Sequence, residues 1–307
     1  MKIIICCTLA PMRTSILILM PFYNEERFIE KALSSVLNQT FIDWKLIGSN
    51  NGSNDSSGDI FQTFVDRDSR FILLSNVTNL SGDLNWNSLA DFALSNISSD
   101  FILWLAGDDS FADSSYLDNL FNTACSSGYQ VIAPKVVLVS EKDITQSIYE
   151  FDLDHALLYR LIKFALGWHH VNLIYAFYRR EVFEKLINSS CSRFTNSETT
   201  DWWWTFELIR KNRIITESKS TYLKVIKDQI LEPKPSKPFL LRLLRFIFRN
   251  SANGQFFRII RHHGFRLNFR NFFPFLTIIF FRFCLSPYLD IRYLQSYLKR
   301  ISDLEGR

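Results

Sequence analysis

The 307-residue sequence lacks a cysteine framework: Cys6, Cys7, Cys125, Cys191 and Cys284 show no metal-binding spacing and are odd in number. That argues against a zinc module and a disulfide-stapled scaffold, and fits a reducing compartment. There is no internal repeat. No run reaches the roughly 20 apolar residues needed to cross a bilayer. Phe272 to Phe281 is about half that length, contains Pro274 and is ended by Arg282, which suits a shallow or re-entrant segment better. Ile3 to Ala10 has the outline of a signal-peptide core, but it is short and Arg13 leads almost at once into a strand. Residues 1–13 therefore read as an N-terminal extension, with Met12 an alternative start.

The net charge of +4 hides an asymmetry. From Pro233 to Arg307 there are fourteen Lys or Arg against three acids, leaving 21 against 28 for the rest of the chain. The same tail is dense in Phe and Leu, as in Phe239-Leu-Leu-Arg-Leu-Leu-Arg-Phe-Ile-Phe-Arg249. Basic residues interleaved with large apolar ones suit helices lying in an anionic membrane surface through residues 239–307. Packing on the catalytic region or a partner subunit is the alternative. The faces are too apolar for a nucleic-acid partner. Lys234-Pro-Ser-Lys-Pro238 is the clearest linker, giving a region over residues 14–232 and a basic helical region over 233–307.

Within the first region, strand and helix patterns alternate. Ser15 to Met20 is an apolar run closed by Pro21, and Glu25 to Leu37 repeats apolar residues at helical spacing. Strands are predicted at Leu46-Ile47, Phe71 to Leu74 and Phe101 to Leu105, with helical patterns at Ile60 to Val65 and Leu84 to Leu94. Such alternation predicts an α/β, Rossmann-like, mostly parallel sheet whose ligands gather at the strands' carboxyl ends. The loops Pro21 to Glu25, Asn50 to Asp55 and Gly107 to Ser110 all fall there. Asp108 and Asp109 directly follow a buried-looking strand, a placement that suits a Mg²⁺ or Mn²⁺ shared with substrate phosphates. An Asp-rich turn with a cap for the next helix is the other reading.

These loops carry a resemblance. Pro21-Phe-Tyr-Asn-Glu-Glu26, Ala32-Leu-Ser-Ser-Val-Leu-Asn-Gln-Thr-Phe41, Ser49-Asn-Asn-Gly-Ser-Asn-Asp55, Asn79-Leu-Ser-Gly82, Asn85-Trp-Asn87 and Trp104-Leu-Ala-Gly-Asp-Asp109 resemble the family 2 glycosyltransferases in order and spacing across residues 15–110. The resemblance implies an A-type glycosyltransferase fold, a nucleotide-diphosphate sugar donor, Mn²⁺ or Mg²⁺, and transfer with inversion to a glycan or lipid-linked acceptor. It also implies residues 14–110 as the nucleotide-sugar half and residues 111–232 as the acceptor half. Because nucleotide sugars are cytosolic, it favours a peripheral place on the cytoplasmic face of the membrane.

By the same resemblance, Asp108 holds the cation, and Asp109 is either a second ligand or a helix cap. Pro21, Phe22, Tyr23, Glu25, Asn50, Asn51, Asn87, Gly107 and Asp108 line the donor site. Glu25 also suits the first turn of a helix on electrostatic grounds, Asn50-Asn51-Gly52 also reads as a plain turn, and Asp55 as a cap. Ser197 to Arg210 resembles the segment that carries the family's base, with Asp201 in that position and a helix N-cap as its bland alternative. Trp202, Phe206 and Ile209 share one helical face, read as core, with a tryptophan stacked on a sugar as the minority reading. Arg179 or Arg180 either touches the diphosphate or is simply solvated. His169-His170 reads as a loop pair, since no third metal ligand is spaced to fit. Asn50, Ala106 and Thr200 stand where the family has acids, so a catalytically inactive nucleotide-sugar-binding or scaffolding relative is the alternative function.

Overall fold

In the computed structural model the described residues are 12–141, 145–150, 155–160, 171–189, 194 and 200–227. The chain divides into two compact units, residues 1–154 with 171–228, and residues 155–170 with 229–307. The basic tail and the His169-His170 pair lie outside the described residues. Among the described residues no helix is long and apolar enough to cross a membrane.

The first unit is built on a strand buried on both faces. Ile16, Leu17, Ile18, Leu19 and Met20 are all 0% exposed within β1 (Met12–Phe22), the continuous apolar run expected of a central parallel strand. Then follow α1 (Ile29–Leu37), β2 (Trp44–Asn50), α2 (Ser57–Arg67), β3 (Phe71–Ser75), α3 (Gly82–Asn96) and β4 (Ile97–Trp104). α1 buries Ile29, Ala32, Leu33 and Val36, one stripe at helical spacing. It starts four residues later than the apolar pattern suggests. The Glu25 carbonyl accepts from the amides of both Phe28 and Ile29, at 2.9 Å each, so Glu25 lies in a turn ahead of the helix. That corrects its placement in a first helical turn.

β1 pairs in parallel with β2 on one side and with β4 on the other, and β2 pairs in parallel with β3. The spatial order β3-β2-β1-β4 means that the chain winds outward to β3 and then returns to the far side of β1. The strand order reverses between β1 and β4, and the crevice beyond the carboxyl ends at such a point is the ordinary ligand site of an open α/β sheet.

The rest of the unit comprises β5 (Ser110–Phe111), α4 (Tyr116–Ser127), β6 (Val131–Ser140), β7 (Thr145–Tyr149), a 3₁₀ turn (Val171–Tyr175), β8 (Phe177–Arg179), α5 (Arg180–Ile187), α6 (Thr200–Lys211) and β9 (Ile215–Ile226). The sheet continues as β4-β8-β6-β9-β5, with β8 antiparallel to both neighbours and β6 parallel to β9. The expected mostly parallel α/β sheet is what the chain forms. Its antiparallel strand has a consequence for two arginines. β8 runs against β4, pairing Phe101 with Arg179, so Arg179 and Arg180 stand toward the start of β4, at the other end from Asp108. The Arg180 guanidinium donates to the Ile97 and Leu94 carbonyls at 2.6 and 2.7 Å, and Arg179 lies over the Phe101 ring. Arg180 ties α3 to β4, and with both arginines at the far end of β4 from Asp108 neither is placed as a diphosphate ligand.

Candidate functional site

The loop after β1 is fastened to the loop after β2 by reciprocal hydrogen bonds. Asn24 has a left-handed backbone, φ 55°, which Asn tolerates better than most residues. Its amide donates to the Ser53 hydroxyl and its side-chain oxygen accepts from the Asn54 amide, both at 3.0 Å. The Glu26 amide donates to Asp55 and the Glu26 carboxylate accepts from the Ser56 amide, each at 3.1 Å. Asp55 also accepts the Ser57 amide at 3.0 Å, at the start of α2. The Glu25 amide donates to the Ser57 hydroxyl at 2.7 Å, which leaves the Glu25 side chain to point elsewhere.

Of the expected donor-lining residues, several are used by the chain itself. The Phe22 ring is buried against Phe61, centroids 5.5 Å apart, and its carbonyl accepts the Asn51 amide at 2.9 Å. The Asn50 side-chain oxygen accepts the Ser53 amide at 2.8 Å, closing its own loop. Gly52, with φ +72°, has room only for hydrogen, because a Cβ would lie 2.8 Å from the backbone of Thr78 and Asn79. Asn51 is buried and donates to the Leu80 carbonyl at 2.9 Å while accepting the Leu80 amide at 3.0 Å. Asn87 is buried too, holding the Phe194 carbonyl and amide at 2.6 and 3.2 Å. Asn51 and Asn87 are thus internal ties. Pro21 is the penultimate residue of β1, opposite Ser49, and Tyr23 is exposed just past the strand's end.

The third loop settles directly onto the first. A Cβ on Gly107 would sit 2.6 Å from the Phe22 Cβ and 3.3 Å from the Glu25 Cγ, so the close approach depends on glycine. The two acids that follow part company. Asp109 is 2% exposed and accepts the Tyr222 hydroxyl at 2.8 Å and the Val225 amide at 2.9 Å. Burial, reinforced by the charge of Asp108, pushes its pKa up to about 8. Asp109 anchors β9, and the expected helix-cap role is corrected, since α4 begins only at Tyr116. Asp108 turns to the opposite side, where its carboxylate meets the Lys227 ammonium at 3.1 Å.

Lys227 also donates to both carboxylate oxygens of Glu25, at 2.6 and 2.8 Å. Burial of Glu25 raises its pKa, with the Lys227 hydrogen bond working against the shift. Partial burial works against the Lys227 charge, yet its hydrogen bonds to Glu25 and the nearby Asp108 hold its pKa above the ordinary value. Two carboxylates from distant loops and one ammonium from the end of β9 therefore form a single cluster at the switch point. Sequence reading missed Lys227 and Tyr222. Neither lies in a recognisable motif, and each is brought in by β9, which pairs with β5 across more than a hundred residues of chain.

A divalent cation that travels with phosphates typically takes one or two carboxylates from the protein and fills its shell with phosphate and water. Asp108, with Glu25 beside it, fits that requirement, and the ammonium between them marks the place as favourable to positive charge. Among the described residues no group of three His, Cys, Asp or Glu side chains converges as a complete ligand set. Asp201 is the second residue of α6, in keeping with the helix start expected there, and its side chain lies outside the described residues. Phe206 and Ile209 of the expected core stripe are 0% exposed, as is the flanking Trp204, while the Trp202 side chain lies outside the described residues.

Comparisons with known proteins agree with this architecture. The pattern of the family described as Glycosyl transferase family 2 matches residues 17–187, more than half of the chain. Glycosyltransferase GlyA of Streptococcus pneumoniae is 26% identical over 106 residues, 34% of this chain and 14% of that protein. An uncharacterized glycosyltransferase of Haemophilus influenzae is 33% identical over 96 residues, 31% of this chain and 37% of that one. The chain thus spans well under half the length of these curated relatives. Among solved structures, Staphylococcus aureus TarS (1–349) in complex with UDP-GlcNAc has a TM-score of 0.56 at 16% identity, covering 86% of this chain and 79% of that one. The same fragment in complex with UDP has a TM-score of 0.52 at 17% identity, covering 69% and 60%. At such identities the likeness speaks for the fold.

Proposed function

Because the chain belongs to glycosyl transferase family 2, we propose that it moves a sugar from a nucleotide-diphosphate donor to a hydroxyl of a glycan or lipid-linked acceptor, with inversion and with help from Mn²⁺ or Mg²⁺. The observation that carries this reading is the meeting of Glu25, Asp108 and the loop of Asn50 at the carboxyl ends of adjacent parallel strands. TarS holds UDP and UDP-GlcNAc, so uridine-linked donors are the first to try here.

As the sugar departs, negative charge builds on the diphosphate, and a bound divalent cation supplies electrostatic stabilisation of that leaving group. In this chain Asp108 is the carboxylate available to hold the ion, with Glu25 next to it. The fastened loops after β1 and β2 seat the nucleotide, with Asn50 an uncharged amide where the family's acid would stand. Gly107 lets the chain pass close enough to bring Asp108 against the first loop. Single-step inversion needs a base within hydrogen-bond reach of the acceptor hydroxyl. Asp201, in the first turn of α6 and at the position that the resemblance gives to the family's base, is the residue assigned that role.

The test is transfer and donor hydrolysis measured with a panel of nucleotide sugars in Mn²⁺ or Mg²⁺. Asp201→Asn is expected to abolish transfer while UDP binding, followed by calorimetry, persists. Transfer at the wild-type rate in Asp201→Asn removes the base assignment. Transfer that is unaffected by chelation of the metal removes the cation from the mechanism.

A further inference from the structure

Lys227 has no part in the mechanism just described, yet it makes the closest charged contacts in the site. Its ammonium lies 2.6 and 2.8 Å from the two oxygens of Glu25 and 3.1 Å from Asp108, three oxygens from two carboxylates on separate loops. All three side chains are partly withdrawn from water, at 12% exposure for Glu25, 22% for Asp108 and 40% for Lys227. A divalent cation that binds Asp108 must therefore enter where a monovalent one already sits. We propose that Lys227 is an internal counter-ion that competes with the divalent metal in the free protein and is drawn off to the donor's diphosphate, so that metal and nucleotide load together. This rests on the metal-dependent reading above.

The physical argument is one of charge balance. Without Lys227, Glu25 and Asp108 face each other as like charges, an arrangement that favours any cation between them. With Lys227 in place that attraction is already largely satisfied, and a metal alone gains little by displacing a tethered ammonium that remains nearby to repel it. A diphosphate changes the balance, because its oxygens accept the ammonium and also complete the metal's shell. Metal and diphosphate binding are then positively coupled, and couplings of this kind usually lie between about 5-fold and 150-fold. An ammonium does this better than a guanidinium would, since it is a compact charge on a flexible stem that can swing between partners.

The test is Mn²⁺ affinity measured from the electron paramagnetic resonance signal of the free ion, with and without saturating UDP. In the wild-type protein UDP should tighten Mn²⁺ binding about tenfold or more. Lys227→Met, which keeps the length of the stem and removes the charge, should bind Mn²⁺ alone on the order of tenfold more tightly than wild type, with a smaller gain from UDP. A purely structural role for Lys227 would loosen the metal instead. Lys227→Gln provides a second uncharged variant, and the wild-type coupling stands as a readout that needs no variant. Equal Mn²⁺ affinity with and without UDP, or unchanged or weaker binding in both variants, overturns the proposal while leaving metal-dependent transfer intact. If neither protein binds Mn²⁺ under any of these conditions while UDP still binds, the metal itself is lost from the reading and the counter-ion proposal falls with it.

Discussion

The strands before Ser110 and those after it are assembled by different means. In the first half, four parallel strands follow one another along the chain, and their loops are joined by polar ties among Ser49, Asn51, Asn76 and Asn85. In the second half, β8 is inserted antiparallel between β4 and β6, and β9 returns to pair with β6. There an aromatic cluster does most of the joining: Trp204 packs on Phe183 and Phe194 with centroids 5.7 and 5.5 Å away, and its indole N–H donates to Tyr178 at 3.0 Å. The first half offers polar backbone and carboxylates. The second supplies the parts that hold them in position, with Tyr222 on Asp109 and Lys227 across Glu25 and Asp108.

If that division of labour is right, removing an aromatic from the second half should cost stability before it costs nucleotide binding. Trp204→Ala opens a cavity in a fully buried site, where such truncations cost about 3–5 kcal/mol. For a unit of this size that corresponds to a fall in Tm of roughly 6–20 °C, readable by calorimetry. At low temperature the folded variant should bind UDP with wild-type affinity. Loss of UDP binding in a folded Trp204→Ala protein would show that the two halves share the site more evenly than their packing indicates.

The converse change belongs to the first half. Gly107→Ala adds one carbon that meets the Phe22 Cβ and the Glu25 Cγ, so the loop bearing Asp108 must move away from β1. Overpacking of this kind costs about 1–3 kcal/mol in stability. The larger effect should be on transfer, because displacing a catalytic group by about 1 Å can lower the rate on the order of 100-fold. The expected result is a clear drop in kcat with only a modest shift in Tm. A variant with wild-type kcat would mean that the contact between the two loops does not set the position of Asp108.

The same division explains what could be read from the chain without its fold. The four parallel strands, their three loops and the placement of Asp108 follow from local patterns, since each motif is contiguous and each loop lies at the carboxyl end of its own strand. What was missed needed tertiary knowledge. A polar residue in a loop motif has the same appearance whether its amide meets a ligand or the chain, and Asn51 and Asn87 proved to meet the chain. The diphosphate reading of Arg179 and Arg180 fails on strand polarity, which three residues do not reveal: β8 runs antiparallel to β4 and carries both to the other end. Asp108 and Asp109 are neighbours in sequence with opposite environments, one facing a cation and the other buried under Tyr222. Lys227 has no local signal at all, because its partner Glu25 lies 202 residues away.

A smaller effect separates the halves by their response to acid. In the second half Glu207, 3% exposed, is bridged by Arg210 at 2.9 Å and Lys211 at 2.7 Å. Its burial alone would raise the pKa, but the hydrogen bonds from these two cations bring it below the ordinary 4.5. In the first half Asp68, 19% exposed, is held low chiefly by its hydrogen bonds from Arg70. A carboxylate whose folded pKa is depressed adds stability in full above its unfolded value, and that stability is lost as pH falls through the lower folded value. For Glu207 the loss therefore begins near pH 4.5 and continues downward. Glu207→Gln should lower Tm most at neutral pH, with the gap to wild type closing as the pH drops below about 4.5. Asp68→Asn should show the same convergence with a smaller gap, because its ion pair is more open to solvent. Parallel Tm curves for wild type and Glu207→Gln from about pH 3 to pH 7 would mean that the buried Glu207 contributes through packing and not through its charge.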